Sequence, residues 1–210
     1  AQYLHELSAR LPEIERPNVL QCDLPELKKT LEEAGSKIAF GFAVGRNSLG
    51  GLSSKRQVVA DLAGLLAANG RVSIFEQVQR RAQRLCELVD LEDVALQERV
   101  AEAEEAIYAT ENPHVGWDTA DMEALFTAAG FSEVEVHPEE MCATRRITAQ
   151  QIGQWFSGGG EKNPTYAWHL RRILAQTEVD YLRHQFERQL GNKEVEWKVA
   201  HLYLQARKAD

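Results

Sequence analysis

The alternation of apolar and polar residues is clearest over residues 58–78, where it predicts a helix, a tight turn and a buried strand. Leucines recur at helical spacing up to residue 66. Asn69 and Gly70 follow, a pair typical of the left-handed corner that ends a helix. Residues 71–78 then alternate with a period of two and are apolar on both faces, which favours the interior of a parallel sheet covered by helices. We expect this strand in mid-sheet, with both neighbouring strands running in its direction.

The amino-terminal residues predict a short helix and a short strand. Residues 3–11 place Leu4, Leu7 and Leu11 on one side of a helix. Residues 18–22 (NVLQC) are typical of a short strand.

Two further helices and a second strand precede the central strand. Asp23 stands at a helix cap position, and Gly35 ends the helix that follows. Residues 37–44 predict a second buried strand, and Ser54 and Gln57 form a capping box for the next helix. Helices and strands that alternate with short connections imply a parallel sheet with right-handed crossovers.

The pattern becomes mainly helical and charged over residues 80–108. Asp118 can cap a helix that ends at Gly130, and residues 131–136 then alternate as a strand with one polar face. The remaining segments are a helix with a capping box at Thr148 and Gln151, the longest helical pattern at residues 166–190, and a final strand at residues 195–206.

Length, charge and cysteine content argue against several classes of function. The chain has 210 residues, which fits one domain or one domain with a helical subdomain. Its net charge of −8 argues against direct nucleic-acid binding. No apolar run is long enough for a membrane helix, and we expect no association with a membrane. Three isolated cysteines without metal-ligand spacing favour the cytoplasm and predict no metal site.

The ordered segments resemble the later part of class I S-adenosylmethionine-dependent methyltransferases. The segments are NVLQCDLPEL, KIAFGFAVGRNSL, LAGLLAANGRVSIFEQV, WDTADMEALFTAAGFSEVEV and EWKVAHLYLQARK. The resemblance implies an α/β, Rossmann-like methyltransferase sheet, mainly parallel with an antiparallel terminal strand and lacking its first strands. It further implies a single methyltransferase-like domain over residues 1–210, with helical cap insertions at residues 79–117 and 148–190. The chain begins with Ala1 rather than Met, and we expect it to be a piece of a longer protein.

A closer similarity is to the C-terminal region fused to RarA-type AAA+ recombination ATPases. The segments AVGRNSL, QRLCELVDL and AEEAIYATENPHVGWD carry it. It implies a fused ATPase domain as a partner, which would supply ATP hydrolysis and DNA binding. The loop at residues 45–51 lacks the lysine and hydroxyl of a phosphate-binding loop.

The resemblance assigns five residues to S-adenosylmethionine. Asp23 and Leu24 follow the NVLQC segment, where the family binds the adenine end of the cofactor. Gly45, Arg46 and Asn47 follow the next strand, where the family lines the methionine end. The residues alone allow other interpretations, because Asp23 is also a helix cap and a glycine–asparagine loop is also an ordinary turn. The family's glycine-rich loop and ribose-binding acid are absent, so the site is half a cofactor site or none.

Five more residues are candidates for facing the substrate. Glu76, Arg80 and Arg84 lie at the end of the central strand, where a carboxylate can orient or deprotonate an acceptor. Tyr108 and Trp117 lie near the end of the first insertion. The competing interpretation of Glu76, Arg80 and Arg84 is a solvated helix start. That of Tyr108 and Trp117 is local packing, and the sequence assigns no catalytic residue.

The sequence therefore predicts an S-adenosylmethionine-dependent methyltransferase-like domain with an unknown small-molecule or macromolecular acceptor, active or degenerate. Methyl transfer from a sulfonium needs alignment more than acid–base help, so the missing catalytic signature does not exclude it. The first alternative is a non-catalytic interaction or regulatory domain of an AAA+ recombination ATPase. The second is a small-molecule-binding domain of another α/β family.

Overall fold

The computed structural model describes residues 9, 10, 12, 19–35, 39–109 and 112–209. The helices are α1 Leu27–Glu33, α2 Lys55–Leu65, α3 Val94–Glu105, α4 Thr119–Ala128, α5 Ala149–Trp155, α6 Tyr166–Leu170 and α7 Gln176–Leu190. The strands are β1 Phe40–Arg46, β2 Leu66–Gln77, β3 Phe131–Ile147 and β4 Lys193–Lys208. Short 3-10 turns occupy Leu24–Glu26, Gln79–Arg81, Leu85–Leu88 and Ala106–Tyr108.

The four described strands form one sheet in the order β1-β2-β4-β3. β1 pairs with β2 in parallel, whereas β4 pairs antiparallel with both β2 and β3. Three strands therefore run in one direction and the terminal strand runs opposite to them. This confirms the predicted α/β fold with a mainly parallel sheet, an antiparallel terminal strand and helical insertions.

Strand β2 lies in mid-sheet, as predicted for residues 71–78. The expectation that both neighbours run in its direction is wrong, because β4 returns beside β3 and enters the sheet antiparallel between β3 and β2. The strand also begins earlier than predicted, at Leu66. The Asn69–Gly70 corner is an irregularity within β2, where Asn69 has a φ of 61° and the register shifts between Phe40 and Phe42.

Strand β1 lies at the edge of the described sheet and is not buried as predicted. Phe42 and Val44 are 56% and 74% exposed. The strand predicted at residues 18–22 is wrong for Val19–Cys22, which have no strand conformation. A strand needs a hydrogen-bonding neighbour, and β1 pairs only with β2 among the described strands. Asn18 and most of the helix predicted at residues 3–11 lie outside the described residues.

Two hydrophobic clusters form the interior. The sheet cluster packs Val58 and Val59 of α2 and Met122 and Phe126 of α4 against one face of β2 and β4. The helical cluster joins α3, α5, α6 and α7 with the outer ends of β3 and β4. Because β3 and β4 contribute to both clusters, this long ribbon connects the sheet to the helical part. The division into one domain with two cap insertions stays a prediction.

Local capping signals in the second half are confirmed. Asp118 caps α4 and Thr148 caps α5, each with the reciprocal bond from the third helical residue. The capping box predicted at Ser54 is wrong, because that side chain makes no cap hydrogen bond. The helices predicted over residues 80–108 and 166–190 are wrong in being unbroken. The structure has 3-10 turns within residues 80–108, and residues 171–175 separate α6 from α7.

Within the described part of the chain, no helix is both long and apolar enough to span a bilayer.

Candidate functional site

The loop after β1 is fixed by a carboxylate from the neighbouring strand. Glu76 is 1% exposed and accepts hydrogen bonds from the backbone N–H groups of Ser48, Leu49 and Gly50 at 2.7, 2.8 and 3.0 Å. The Ser48 hydroxyl donates a fourth bond at 3.2 Å. Three successive amides converging on one buried carboxylate make a rigid loop at the carboxyl end of β1.

A segment from the first insertion lies against this loop. The Trp117 indole Nε1–H donates to the carbonyl oxygen of Gly50 at 3.0 Å. The Lys55 ammonium donates to the carbonyl oxygens of Leu52 and Pro113, which ties the start of α2 to the same segment. Burial lowers the pKa of Lys55, and the nearby Glu76 carboxylate opposes that shift. The predicted substrate residues Glu76 and Trp117 are therefore both engaged in holding the loop.

Gly45 lies near the end of β1, and Asn47 makes the turn that enters the loop. Asn47 has a φ of 48°, its N–H donates to the carbonyl of Phe75, and its side-chain oxygen accepts from Gln77 N–H at 3.2 Å. A Cβ on Gly45 would lie 2.5 Å from the Ser48 hydroxyl oxygen. These contacts give Asn47 a role in the turn, and the assignment of Gly45 and Asn47 to the cofactor stays a prediction.

An apolar groove follows the edge of β1 that pairs with no other described strand. Its volume is about 360 Å³, and leucines of the first 3-10 turn, α1 and α2 form its wall opposite β1. Two of the predicted cofactor residues, Leu24 and Gly45, line it together with Ser48. The groove therefore reaches the carboxyl end of the parallel pair β1–β2, which is where open α/β sheets bind ligands.

Two charged residues that are predicted to bind the cofactor, Asp23 and Arg46, are next in sequence to the lining residues Leu24 and Gly45. Asp23 occupies the cap position of the first 3-10 turn but makes no side-chain cap hydrogen bond. Its carboxylate is exposed, so the capping role that competed with cofactor binding is not used. The Arg46 guanidinium lies 5.4 Å from the centre of the Phe75 ring, on the opposite face of the sheet from α2 and α4.

Two of the other substrate candidates, Arg84 and Tyr108, form a second cluster, and Arg80 lies between this cluster and the segment of Trp117. The Arg84 guanidinium pairs with Glu105 and lies 3.9 Å from the centre of the Tyr108 ring. Burial raises the pKa of Tyr108, and the negative charge of Glu104 raises it further. Arg80 donates to the carbonyl oxygen of Gly116 at 3.4 Å. The structure thus brings Arg84 and Tyr108 together, and Arg80, whose carbonyl oxygen accepts from Arg84 at 2.8 Å, connects them to the segment of Trp117.

Sequence reasoning missed that two carboxylates are buried. Glu104 is 1% exposed and accepts from the N–H groups of Leu85 and Cys86 and from the Tyr166 hydroxyl at 2.9 Å. In both cases, the position of the glutamate relative to the buried apolar residues of its strand or helix indicates that it is buried. Glu76 falls on the buried side of the period-two pattern of β2, and Glu104 lies four residues after the buried Val100.

The described residues fit one part of the cofactor. None of the described residues that line the groove is charged, so the groove suits a flat, uncharged ring such as adenine. The same described residues supply no charged partner for the ammonium and carboxylate of the methionine end. Among the described residues, no three histidine, cysteine or acidic side chains are grouped to hold a metal ion.

Comparisons with known proteins find similarity among solved structures alone. No family model and no curated protein matches the chain. A Bacillus halodurans C-125 protein named as a candidate methyltransferase aligns over 92% of this chain and 78% of its own, with 12% identity and a TM-score of 0.45. A Galdieria sulphuraria protein named as a candidate sarcosine dimethylglycine methyltransferase aligns over 100% and 64%, with 10% identity and a TM-score of 0.42.

A third similar structure is Haemonchus contortus phosphoethanolamine N-methyltransferase 2 in complex with S-adenosyl-L-methionine. It aligns over 81% of this chain and 34% of its own, with 12% identity and a TM-score of 0.35. The chain therefore spans about a third of the Haemonchus protein and less than two thirds of the Galdieria protein. Because these three TM-scores lie below 0.5, the architecture rests on the strand order and directions described above.

Proposed function

We propose that this chain is a methyltransferase-like domain that binds the adenosine part of S-adenosylmethionine at the carboxyl end of β1. The observation that carries the proposal is the groove lined by Leu24 and Gly45 beside a parallel strand pair. Both residues belong to segments that resemble the family, and the resemblance assigns these segments to the cofactor.

The loop held by Glu76 supports the same proposal. A ligand site needs a backbone that does not rearrange when the ligand arrives, and three amides on one carboxylate supply that rigidity. The exposed Asp23 carboxylate is available to accept from the exocyclic amine of adenine, as the resemblance implies. The methyl acceptor would approach from the side of Trp117 and Arg80.

Calorimetric titration with S-adenosylhomocysteine tests the proposal. We expect saturable heat with the intact chain and binding weaker by about 10-fold or more in Asp23→Ala, since a hydrogen bond to a charged group contributes about 1.5–3 kcal/mol. The matched control is Asp90→Ala, which removes another exposed carboxylate in the helical part. Absence of binding at millimolar ligand, in this chain and in any longer natural form, would contradict the proposal.

A second candidate function has its own observation. The sheet face opposite α2 and α4 carries Phe42, Val44 and Tyr203, which are 56%, 74% and 44% exposed. A shallow depression of about 300 Å³ on this face is lined by strand residues alone. Such a face fits a non-catalytic interaction or regulatory domain of an AAA+ recombination ATPase. A stable complex with a RarA-type ATPase in size-exclusion chromatography, with no heat from S-adenosylhomocysteine, would favour this function.

A further inference from the structure

Strand β3 has a long exposed edge. It is the last strand in the order β1-β2-β4-β3, so its outer edge pairs with no other described strand. Residues 137–146 are all exposed, including the small Ala143. Successive side chains of a strand point to opposite faces, so ten exposed residues in a row indicate that both faces border solvent there. Such an edge presents unpaired backbone N–H and C=O groups to another strand.

The exposed segment is acidic at one end and basic at the other. It contains the sequence EEMCATRR, which begins with Glu139 and Glu140 and ends with Arg145 and Arg146. Among the described residues, Glu140 has a contact of 3.9 Å with Arg81, and no ion pair is formed by the other three. These charges are therefore available to a second strand.

An antiparallel copy of the segment places each acidic end beside the basic end of the other copy. Two identical antiparallel strands are related by a twofold axis perpendicular to the sheet, and residues directly opposite each other share one face. With the axis at Cys142, Glu139 lies opposite Arg145 of the second copy, twice by symmetry. Glu140 then lies diagonal to Arg146, which is still within reach of long side chains.

The exposed segment also fits the register centred on Cys142. This register pairs residues 138–146 of both copies, which gives a ladder about 27 Å long at about 3.4 Å per residue. Pro138, which has no N–H group, falls at the end of the ladder, where a proline is tolerated. Moving the axis to Ala143 would bring the buried Ile147 into the ladder.

We propose that β3 is the interface of a symmetric dimer, in which residues 138–146 of two copies pair antiparallel and join their sheets. Charged residues on an edge strand prevent pairing when two copies repel each other, but these charges attract a second copy. The groove beside β1 lies at the opposite end of the strand order, so the dimer leaves it open. One strand from each copy is a narrow contact, and we expect the dimer to dissociate on dilution.

Sedimentation velocity at increasing protein concentration tests the proposal. We expect the wild-type chain to change from monomer to dimer. Glu139→Lys/Glu140→Lys and Arg145→Glu/Arg146→Glu each set like charges opposite each other, so the dissociation constant should rise at least about 10-fold in either variant. A mixture of the two variants restores opposite charges at each position and should dimerise as the wild type does.

A charge change elsewhere on the surface is the matched control. Glu98→Lys/Glu102→Lys reverses two exposed carboxylates of α3 and should leave dimerisation unchanged. Circular dichroism and the melting temperature confirm that each variant is folded.

Chemical cross-linking tests the register without the charge variants. The exposed Cys142 lies on the axis, where opposite Cα atoms are about 4.5–5.5 Å apart. A short bismaleimide should therefore link two wild-type chains, and Cys142→Ser should abolish the link.

Three outcomes would overturn the proposal. A wild-type chain that stays monomeric at every concentration and is not cross-linked would show that β3 is a protected edge. A dimer that neither charge variant weakens would place the interface on another surface. Failure of the mixed variants to dimerise, when each is folded, would show that the charges of the two copies do not pair across β3.

Discussion

Replacing Glu76 by glutamine should destabilise the fold strongly. The carboxylate accepts three backbone N–H bonds at 2.7–3.0 Å while only 1% of the residue is exposed. Glutamine has the same shape, but it loses the charge and presents an N–H₂ group toward N–H donors. One buried amide left unpaired costs about 1–3 kcal/mol, and weaker bonds to the other two add about 1 kcal/mol.

The expected loss is therefore about 3 kcal/mol out of the 5–15 kcal/mol typical of a domain. For a chain of this size that corresponds to a melting temperature about 6–12 °C lower. Thermal unfolding followed by circular dichroism measures it. Glu135→Gln is the matched control, because its side chain is 66% exposed and makes one contact of 3.7 Å to His137, so we expect no more than about 1 °C of change. Equal melting temperatures for the two variants would refute the assigned role of Glu76.

Three further predictions concern the rest of the molecule. Tyr166→Phe removes the hydroxyl donor to the buried Glu104 and should lower the free energy of unfolding in urea by about 1–3 kcal/mol; an unchanged value would contradict the contact. Burial raises the pKa of the Cys86 thiol, so a thiol reagent at pH 8 should modify the exposed Cys142 rapidly and Cys86 only after unfolding; equal rates would contradict its burial. Burial opposes ionisation of Asp118, but hydrogen bonds from Arg81 and Thr119 outweigh it and lower the pKa of Asp118. Stability from this group is present above the unfolded pKa of about 3.9 and is lost as the pH falls through the lower folded pKa. Arg81→Gln should therefore weaken the acid dependence of stability below pH about 4, and an unchanged dependence would contradict the pairing.

Features set by neighbouring residues were predictable from the sequence. Asp118 and Thr148 cap their helices because the bonding partners lie within three residues, so the pattern contains the whole interaction. The mid-sheet position of β2 also followed from its own apolar alternation. The antiparallel direction of its neighbour β4 could not be predicted in this way. It depends on how the chain returns to the sheet after the helices between β3 and β4.

Features set by distant residues were not predictable in the same way. Strand β3 extends to Ile147 although residues 137–146 are exposed and do not alternate, because pairing with β4 rather than burial holds that ribbon. Val19–Cys22 have the composition of a strand but no adjacent described strand with which to pair. At the candidate site, Leu24 and Gly45 do meet in one groove, whereas Glu76 and Trp117 serve the loop instead of an open pocket.

The central claim is that the carboxyl end of β1 is a binding site for adenosine. Titration of the ¹⁵N-labelled chain with S-adenosylhomocysteine, followed by amide chemical shifts, tests it most directly. We predict saturable shifts at Leu24, Gly45 and Ser48, with the amides of α7 unchanged. Shifts confined to the helical part or to the open sheet face, or no shifts at millimolar ligand, would contradict the claim.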